Sequence, residues 1–294
     1  MQPSARGIER AAADVGRWAA QMPCARGSCL PREGAVSDHA EVNGLRVWYE
    51  RWGKGPPLLL LHGAWGSNAE WDQAARSLAE QFTVFAPDTR GHGRTSDPGS
   101  ISYDLIAADV VGFIETVVGK PAALVGWSDG GVASLIVALR RPDLVTKLVP
   151  IGANFHAAGL LSVARARFEA LSPDAPALEH YRLAYEAVSP DGAVHWPRIF
   201  AKVKSMILSE PTLKSSELSA IEARTLVISG DDDIVSLQHT IDMALAIPRA
   251  ELAIVPGTSH FLHHEKPEVT WRLILDFLEN EPTPTMMPIR RVET

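Results

Sequence analysis

The sequence predicts an α/β fold in which a mostly parallel sheet is flanked by helices and carries a helical cap insertion. Short apolar segments of strand type alternate with longer segments of helical spacing, and such alternation implies a parallel sheet covered by helices. The 294 residues are 46% hydrophobic, which is enough for one substantial core. Residues 155–218 are too many for an ordinary connection between strands, and we interpret them as the cap.

The elements follow in order along the chain. Residues 45–50 alternate between apolar and polar side chains, which predicts an antiparallel strand at the sheet edge. Strands are then predicted at residues 58–61, 82–86, 122–125, 148–151, 225–229 and 252–255. Helices are predicted at residues 68–81 and 103–118, after residue 130 up to Pro142, and at the end of the core. Within the cap, residues 164–171, 180–188 and 196–208 are the predicted helices.

The domain boundaries follow from these elements. Residues 38–154 and 219–280 form the predicted α/β core, and residues 155–218 form the cap. Residues 1–37 are an N-terminal extension in which residues 8–22 show helical spacing, so that an amphipathic helix and disorder are both open. Residues 281–294 are predicted to be a flexible tail.

Charge and cysteine content restrict the partners and the compartment. The net charge of −7 argues against broad binding to nucleic acid or anionic membranes, which requires a basic surface. The two cysteines, Cys24 and Cys29, lie outside the core, so no disulfide framework is predicted and a reducing compartment is compatible. With neither a signal peptide nor a membrane span, we expect a cytoplasmic protein acting on a small molecule. Oligomeric state stays open.

Residues 126–130, Gly-Trp-Ser-Asp-Gly, carry the strongest functional signal. They follow an apolar strand and precede a helix of good helix formers, which is the context of a nucleophile elbow. Glycines allow the sharp turn that exposes the serine between them. A serine needs a neighbouring base to become nucleophilic, and later strands run into residues 231–233, all aspartate, and into His260.

This pattern resembles the α/β-hydrolase superfamily from about residue 42 to about residue 278. Loops at residues 62–67 and 87–95 match two further signatures of that family. The resemblance implies a catalytic triad of Ser128, Asp233 and His260. It also implies an oxyanion hole built from the backbone N–H groups of Ala64 and Asp129. His62 and His92 are interpreted as braces of their glycine-rich loops, and neither a metal nor a cofactor is predicted.

The implied reaction is hydrolysis of a carboxylic ester through an acyl-enzyme intermediate. A serine at the elbow disfavours epoxide opening and halide displacement, which family members carry out with an aspartate there. Cleavage of lactones, thioesters, amides or C–C bonds and perhydrolysis all stay open to a serine triad. A ligand receptor with little turnover is a further alternative, because a fold does not determine function.

Five side chains are candidates to contact the substrate: Trp65, Trp127, Asp129, Phe155 and His263. The elbow Gly-Trp-Ser-Asp-Gly-Gly resembles that of the biphenyl-hydrolase-like (valacyclovir-hydrolase-like) esterases. In that group the aspartate after the nucleophile recognises the α-amino group of amino-acid esters. The alternative for Asp129 is a structural role, because a helix N-terminus favours negative charge.

Overall fold

The computed structural model describes residues 34–287. The amphipathic helix considered for residues 8–22 and the two cysteines lie outside this part of the chain. Within it, no helix combines the length and the apolar character that crossing a membrane requires.

The core is an eight-stranded sheet with the order β1-β2-β4-β3-β5-β6-β7-β8. Strand β2 is antiparallel to both of its neighbours, and the other pairs are parallel. The predicted mostly parallel sheet is thus confirmed. The strands are β1 Val36–Val42, β2 Leu45–Trp52, β3 Pro57–Leu61, β4 Thr83–Pro87, β5 Ala122–Trp127, β6 Val145–Ile151, β7 Arg224–Asp232 and β8 Ala250–Ser259.

Strand β1 was missing from the sequence-based prediction, which placed β2 at the sheet edge. Polar residues dominate β1, so its sequence lacks the apolar run that marks a buried strand. It pairs with β2 over its whole length, from Val36 opposite Arg51 to Val42 opposite Leu45. The edge therefore belongs to β1, whose half-exposed side chains suit a position with one neighbour.

Helices cover both faces of the sheet. They are α1 Asp72–Leu78, α2 Tyr103–Phe113, α3 Asp129–Arg140, α4 Ser162–Ala170, α5 Glu179–Val188, α6 Trp196–Ser209, α7 Leu237–Ala246, α8 Leu262–Glu265 and α9 Pro267–Glu279. The helix predicted at residues 68–81 is divided, because a 3₁₀ turn, Asn68–Trp71, precedes α1. The helix predicted at residues 103–118 ends in a π-helical turn, Ile114–Val118.

The insertion between β6 and β7 contains α4, α5 and α6. Its buried aromatic side chains, among them Trp196 and Phe200 of α6, pack toward the core. The ring of Phe200 stacks on that of Trp65, with 5.5 Å between centroids and 17° between planes. Two further residues of the insertion, Lys202 and His195, both contact the carboxylate of Asp97 in the loop after β4. These contacts hold the insertion over the carboxyl ends of the parallel strands.

Candidate active site

Ser128 occupies a strained turn between β5 and α3. Its φ of 52° and ψ of −116° lie in a region that side chains rarely adopt, and its N–H donates to the Ile151 carbonyl at 2.8 Å. The flanking glycines have no room for a side chain. A Cβ on Gly126 would lie 2.2 Å from the Gly130 oxygen, and one on Gly130 would lie 2.0 Å from the Leu61 oxygen. The local sequence therefore dictates the sharp turn.

His260 and Asp233 form a buried pair beside this turn. Nδ1 of His260 lies 2.8 Å from Oδ1 of Asp233, and because a carboxylate only accepts, the ring donates from Nδ1. Asp233 also accepts from the Ser229 hydroxyl at 3.0 Å and from the Val235 N–H at 3.1 Å. Burial favours a raised pKa for Asp233, but the interaction with His260 and these hydrogen bonds lower it overall. Asp233 is thus a fixed anion that leaves Nε2 of His260 as the ring's acceptor.

A cavity of about 280 Å³ brings the predicted residues together. Ser128, His260, Asp129 and Ala64 are among the residues that line it. Its walls are mostly apolar and come largely from the cap, including Leu160, Ala164, Phe168, Leu171, Leu178 and Tyr181. The cavity therefore suits a small or medium substrate with an apolar part.

The loop after β3 has most of its backbone N–H groups engaged. The Gly63 N–H donates to Oε2 of Glu70 at 3.3 Å, the Trp65 N–H donates to Nε2 of His92 at 3.2 Å, and the Gly66 N–H donates to the Gly63 oxygen. Among residues 34–287, no such acceptor engages the Ala64 N–H. Ala64 and Ser128 line the same cavity, so this N–H is a donor of the loop that is free to face a ligand there.

His92 and Glu70 hold this loop by accepting hydrogen bonds from its backbone N–H groups. Nδ1 of His92 donates to the Arg90 oxygen at 2.9 Å, so Nε2 is the atom that accepts from Trp65. Burial lowers the pKa of His92 to about 4. Burial also raises the pKa of Glu70 well above its ordinary value, with a smaller contribution from nearby Asp129. The turn at Trp65, whose φ is 57°, is thus supported by two buried side chains.

The Asp129 side chain is buried and bonded on one side. It is 7% exposed, and Oδ1 accepts from the Tyr103 hydroxyl at 2.7 Å. In the part of the chain that the structure describes, Oδ2 has no hydrogen-bond partner. Burial raises the pKa of Asp129 to about 6, while the bond from Tyr103 and the nearby His260 oppose the rise. A carboxylate oxygen that is buried without a donor is costly, unless a ligand supplies one.

Two of the predicted substrate contacts lie outside the cavity lining. Phe155 stacks on His239, with 3.9 Å between ring centroids, and both nitrogens of His263 are buried. His263 packs between Trp71 and Trp127. Neither Phe155 nor His263 is among the residues that line the cavity, so the structure does not place these two side chains where the prediction puts them.

Trp65 and Trp127 both border the cavity, as does Asp129. Tyr103, Asn154 and Arg167 also border it, although they are not among the substrate contacts that the sequence predicts. Tyr103 lies far before the elbow in sequence and begins a helix, so no local motif marks it. Only the packing of α2 against α3 brings its hydroxyl to Asp129.

Comparisons with known proteins agree with this architecture. The model of the alpha/beta hydrolase family matches residues 58–273. The mouse serine hydrolase BPHL is 29% identical over 276 residues, covering 85% of this chain and 92% of that protein. A 2-(acetamidomethylene)succinate hydrolase of Mesorhizobium japonicum is 27% identical over 266 residues, covering 83% and 95%.

A solved structure supports the fold independently. The meta-cleavage product hydrolase of Pseudomonas fluorescens IP01 superposes with a TM-score of 0.68 at 23% identity, covering 84% of this chain and 98% of that one. At this identity the similarity concerns the fold alone. Because the family model covers well over half of the sequence and these relatives are hydrolases, the protein is an enzyme that belongs to the alpha/beta hydrolase family.

Proposed function

We propose that the protein is a serine hydrolase that cleaves carboxylic esters, with Ser128 as nucleophile, His260 as general base and Asp233 as the group that orients His260. Nε2 of His260 takes the Ser128 hydroxyl proton as Oγ attacks the ester carbonyl. The tetrahedral intermediate then expels the alcohol, which receives that proton from His260. Water, activated by the same ring, attacks the acyl-enzyme and releases the acid.

The oxyanion of the tetrahedral intermediate accepts hydrogen bonds from the backbone N–H groups of Ala64 and Asp129. Asp129 is the first residue of α3, so its N–H has no partner within the helix. Removing one such donor in related chemistry costs about 3 kcal/mol of transition-state stabilisation. The strained turn at Ser128 and the hydrogen bonds of the loop after β3 support this assignment, because they leave both donors beside the nucleophile.

For the substrate class, we propose esters that carry an α-amino group. The observation that carries this proposal is Oδ2 of Asp129, a buried carboxylate oxygen that has no hydrogen-bond partner among residues 34–287 and belongs to a residue that lines the same cavity as Ser128. An ammonium group about 4 Å from a carboxylate gains about 4 kcal/mol at intermediate dielectric, before the cost of desolvation. The resemblance of the elbow to biphenyl-hydrolase-like esterases points to the same group.

The negative charge of Asp129 also has a cost, because it opposes a nearby oxyanion. The hydrogen bond from Tyr103 draws charge toward Oδ1, and a substrate ammonium would neutralise the remainder. On this account esters without the amine react more slowly, both because they lack the attraction and because they leave the charge of Asp129 uncompensated.

Hydrolysis of p-nitrophenyl esters by wild type and Ser128→Ala tests the reaction. We expect turnover and fluorophosphonate labelling in wild type and neither in the variant, whose unfolding temperature should stay close to that of wild type. Ester turnover that persists in folded Ser128→Ala would rule out Ser128 as nucleophile. A wild-type protein that binds esters but neither hydrolyses them nor takes the label would favour a receptor role.

A pair of substrates tests the role of Asp129. The kcat/KM of an α-amino acyl ester is compared with that of its des-amino analogue, in wild type and in Asp129→Asn. We expect wild type to prefer the amino ester by at least about tenfold, which corresponds to about 1.4 kcal/mol. Asp129→Asn should lose this preference while it still hydrolyses the des-amino ester. Equal preference in both proteins would remove Asp129 from recognition.

A further inference from the structure

Trp127 is the residue directly before Ser128, and its indole contacts other segments of the protein in addition to the cavity. The residue is 3% exposed. Its Nε1–H donates to the backbone carbonyl of His260 at 2.8 Å, a contact that spans 133 positions of sequence. His260 lies in the turn between β8 and α8, where the ladder of the sheet has ended. The indole therefore ties that turn to the end of β5.

The ring of Trp127 also packs against the segment that carries His260. Its centroid lies 5.5 Å from the ring of His260, 5.1 Å from that of Phe261 and 4.8 Å from that of His263. Trp127, His260 and Phe261 also line the cavity, whereas His263 is not among the lining residues. The indole therefore supports the turn that carries His260, from His260 to His263. The same packing contributes to the burial of the His263 ring.

A third contact joins the indole to the loop after β3. A Cβ placed on Gly63 would lie 2.7 Å from Cε3 and 2.9 Å from Cζ3 of Trp127. Carbon atoms do not approach so closely without displacement, so Gly63 is a glycine because the indole lies against its backbone. The next residue in this loop is Ala64, the proposed oxyanion donor.

We infer that Trp127 is a positioning residue that holds three parts of the site in register: Ser128, the turn carrying His260, and the loop carrying Ala64. This inference rests on the proposed nucleophilic role of Ser128. Ser128 is bonded to Trp127 through the chain, the histidine turn is bonded to it by a hydrogen bond, and the loop is held by contact with its ring. Misplacement of a reacting group by about 1 Å can cost about 100-fold in rate, so such support has a catalytic consequence.

Trp127→Phe tests the hydrogen bond, since phenylalanine keeps an aromatic ring but lacks the indole N–H. The chain offers a matched control in Trp71→Phe. Trp71 is fully buried in the same aromatic cluster, beside His263, and within residues 34–287 its Nε1 has no hydrogen-bond partner. Both substitutions remove the same atoms from the same core, but only one removes a bond to His260.

The readouts are the second-order rate of fluorophosphonate labelling at Ser128 and the steady-state kcat and KM for a p-nitrophenyl ester. We expect Trp127→Phe to lower the labelling rate and kcat by about tenfold or more, with KM changed by no more than about twofold. Trp71→Phe should stay within about twofold of wild type in both rates. Unfolding temperatures show whether the two variants lose similar stability.

Gly63→Ala tests the contact between the loop after β3 and the indole of Trp127. This single variant keeps the native indole, so it can be measured even if Trp127→Phe fails to fold. Its added methyl should displace the loop or the indole and slow labelling by about tenfold or more. In the Trp127→Phe background the smaller ring leaves space, so the same methyl should slow labelling less. This non-additivity would measure the coupling between the loop and the ring.

Three results would overturn the inference. The first is equal labelling rates in Trp127→Phe and Trp71→Phe. The second is a raised KM with unchanged kcat in Trp127→Phe, which would make the indole a substrate contact. The third is wild-type labelling in Gly63→Ala. If the proposed function itself is wrong, wild type will not react with the fluorophosphonate label. That result differs from all three results above, in which wild type is labelled.

Discussion

The hydroxyl of Tyr103 donates a 2.7 Å hydrogen bond to Oδ1 of Asp129, the residue that follows the proposed nucleophile, Ser128. The bond connects the first turn of α2 to the first turn of α3 and leaves Oδ2 as the oxygen without a donor among the described residues. Tyr103 therefore occupies one oxygen of the carboxylate, and its hydroxyl opposes the rise in the Asp129 pKa that burial causes.

Tyr103→Phe should shift substrate selectivity to higher pH. Burial raises the pKa of Asp129 to about 6 and the Tyr103 hydroxyl opposes the rise, so its loss should raise this pKa further. We expect the preference for an α-amino ester over its des-amino analogue to appear at higher pH than in wild type. The ratio of the two kcat/KM values from pH 5 to 9 measures this shift. Tyr49→Phe, a core change remote from the cavity, should leave the profile in place.

Asp129→Asn should alter how stability depends on pH. Because the folded protein holds the Asp129 proton more tightly than the unfolded chain, the contribution of Asp129 to the stability of wild type falls as pH rises from about 4 to about 6. A pKa raised from 3.8 to about 6 corresponds to about 3 kcal/mol. Relative to wild type, Asp129→Asn should thus gain up to about 3 kcal/mol between these pH values. Denaturant unfolding at pH 4 and pH 7 checks this, and parallel curves for both proteins would contradict it.

Asp233→Asn should lower kcat by about 10³ to 10⁴-fold at neutral pH. An amide at this position can donate to Nδ1 and favour the wrong tautomer of His260, and it no longer stabilises the imidazolium. The adjacent Asp232 provides the control, because its side chain is exposed at the end of β7. Asp232→Asn should retain wild-type turnover of a p-nitrophenyl ester. A larger loss in Asp232→Asn than in Asp233→Asn would refute the assignment of the acid.

Gly152→Ala should disrupt the His260–Asp233 pair. Gly152 has a φ of 57°, and an added Cβ would lie 2.9 Å from Nδ1 of His260 and 3.1 Å from Oδ2 of Asp233. Gly119 has a similar φ of 70° with open space around it, so Gly119→Ala reproduces the backbone strain without the collision. We expect both variants to lose about 1 kcal/mol of stability from strain. Only Gly152→Ala should lose kcat, by about 100-fold, and similar activity in the two variants would show that the pair tolerates the methyl.

Much of the architecture could be predicted because its signals are local. Each buried parallel strand is a short apolar run, and the three cap helices begin and end within about two residues of their predicted bounds, since helix periodicity is a property of neighbouring residues. Strand β1 could not be predicted in this way. Its polar residues form a strand only because β2 offers a free edge for pairing, and such pairing is not visible in β1 itself.

By itself, the sequence determined the candidate nucleophile, because a serine between glycines after an apolar strand defines its own turn, and the resemblance of its motifs indicated Asp233, His260 and the Ala64 loop. The tertiary structure alone decided what surrounds them. It bonds Tyr103 to one oxygen of Asp129, turns the indole of Trp127 toward His260 and Gly63, and encloses Phe155 and His263 in the core. The physical reason is that a turn depends on adjacent residues, whereas the partner of a side chain depends on which distant segments the packed sheet and helices bring into contact.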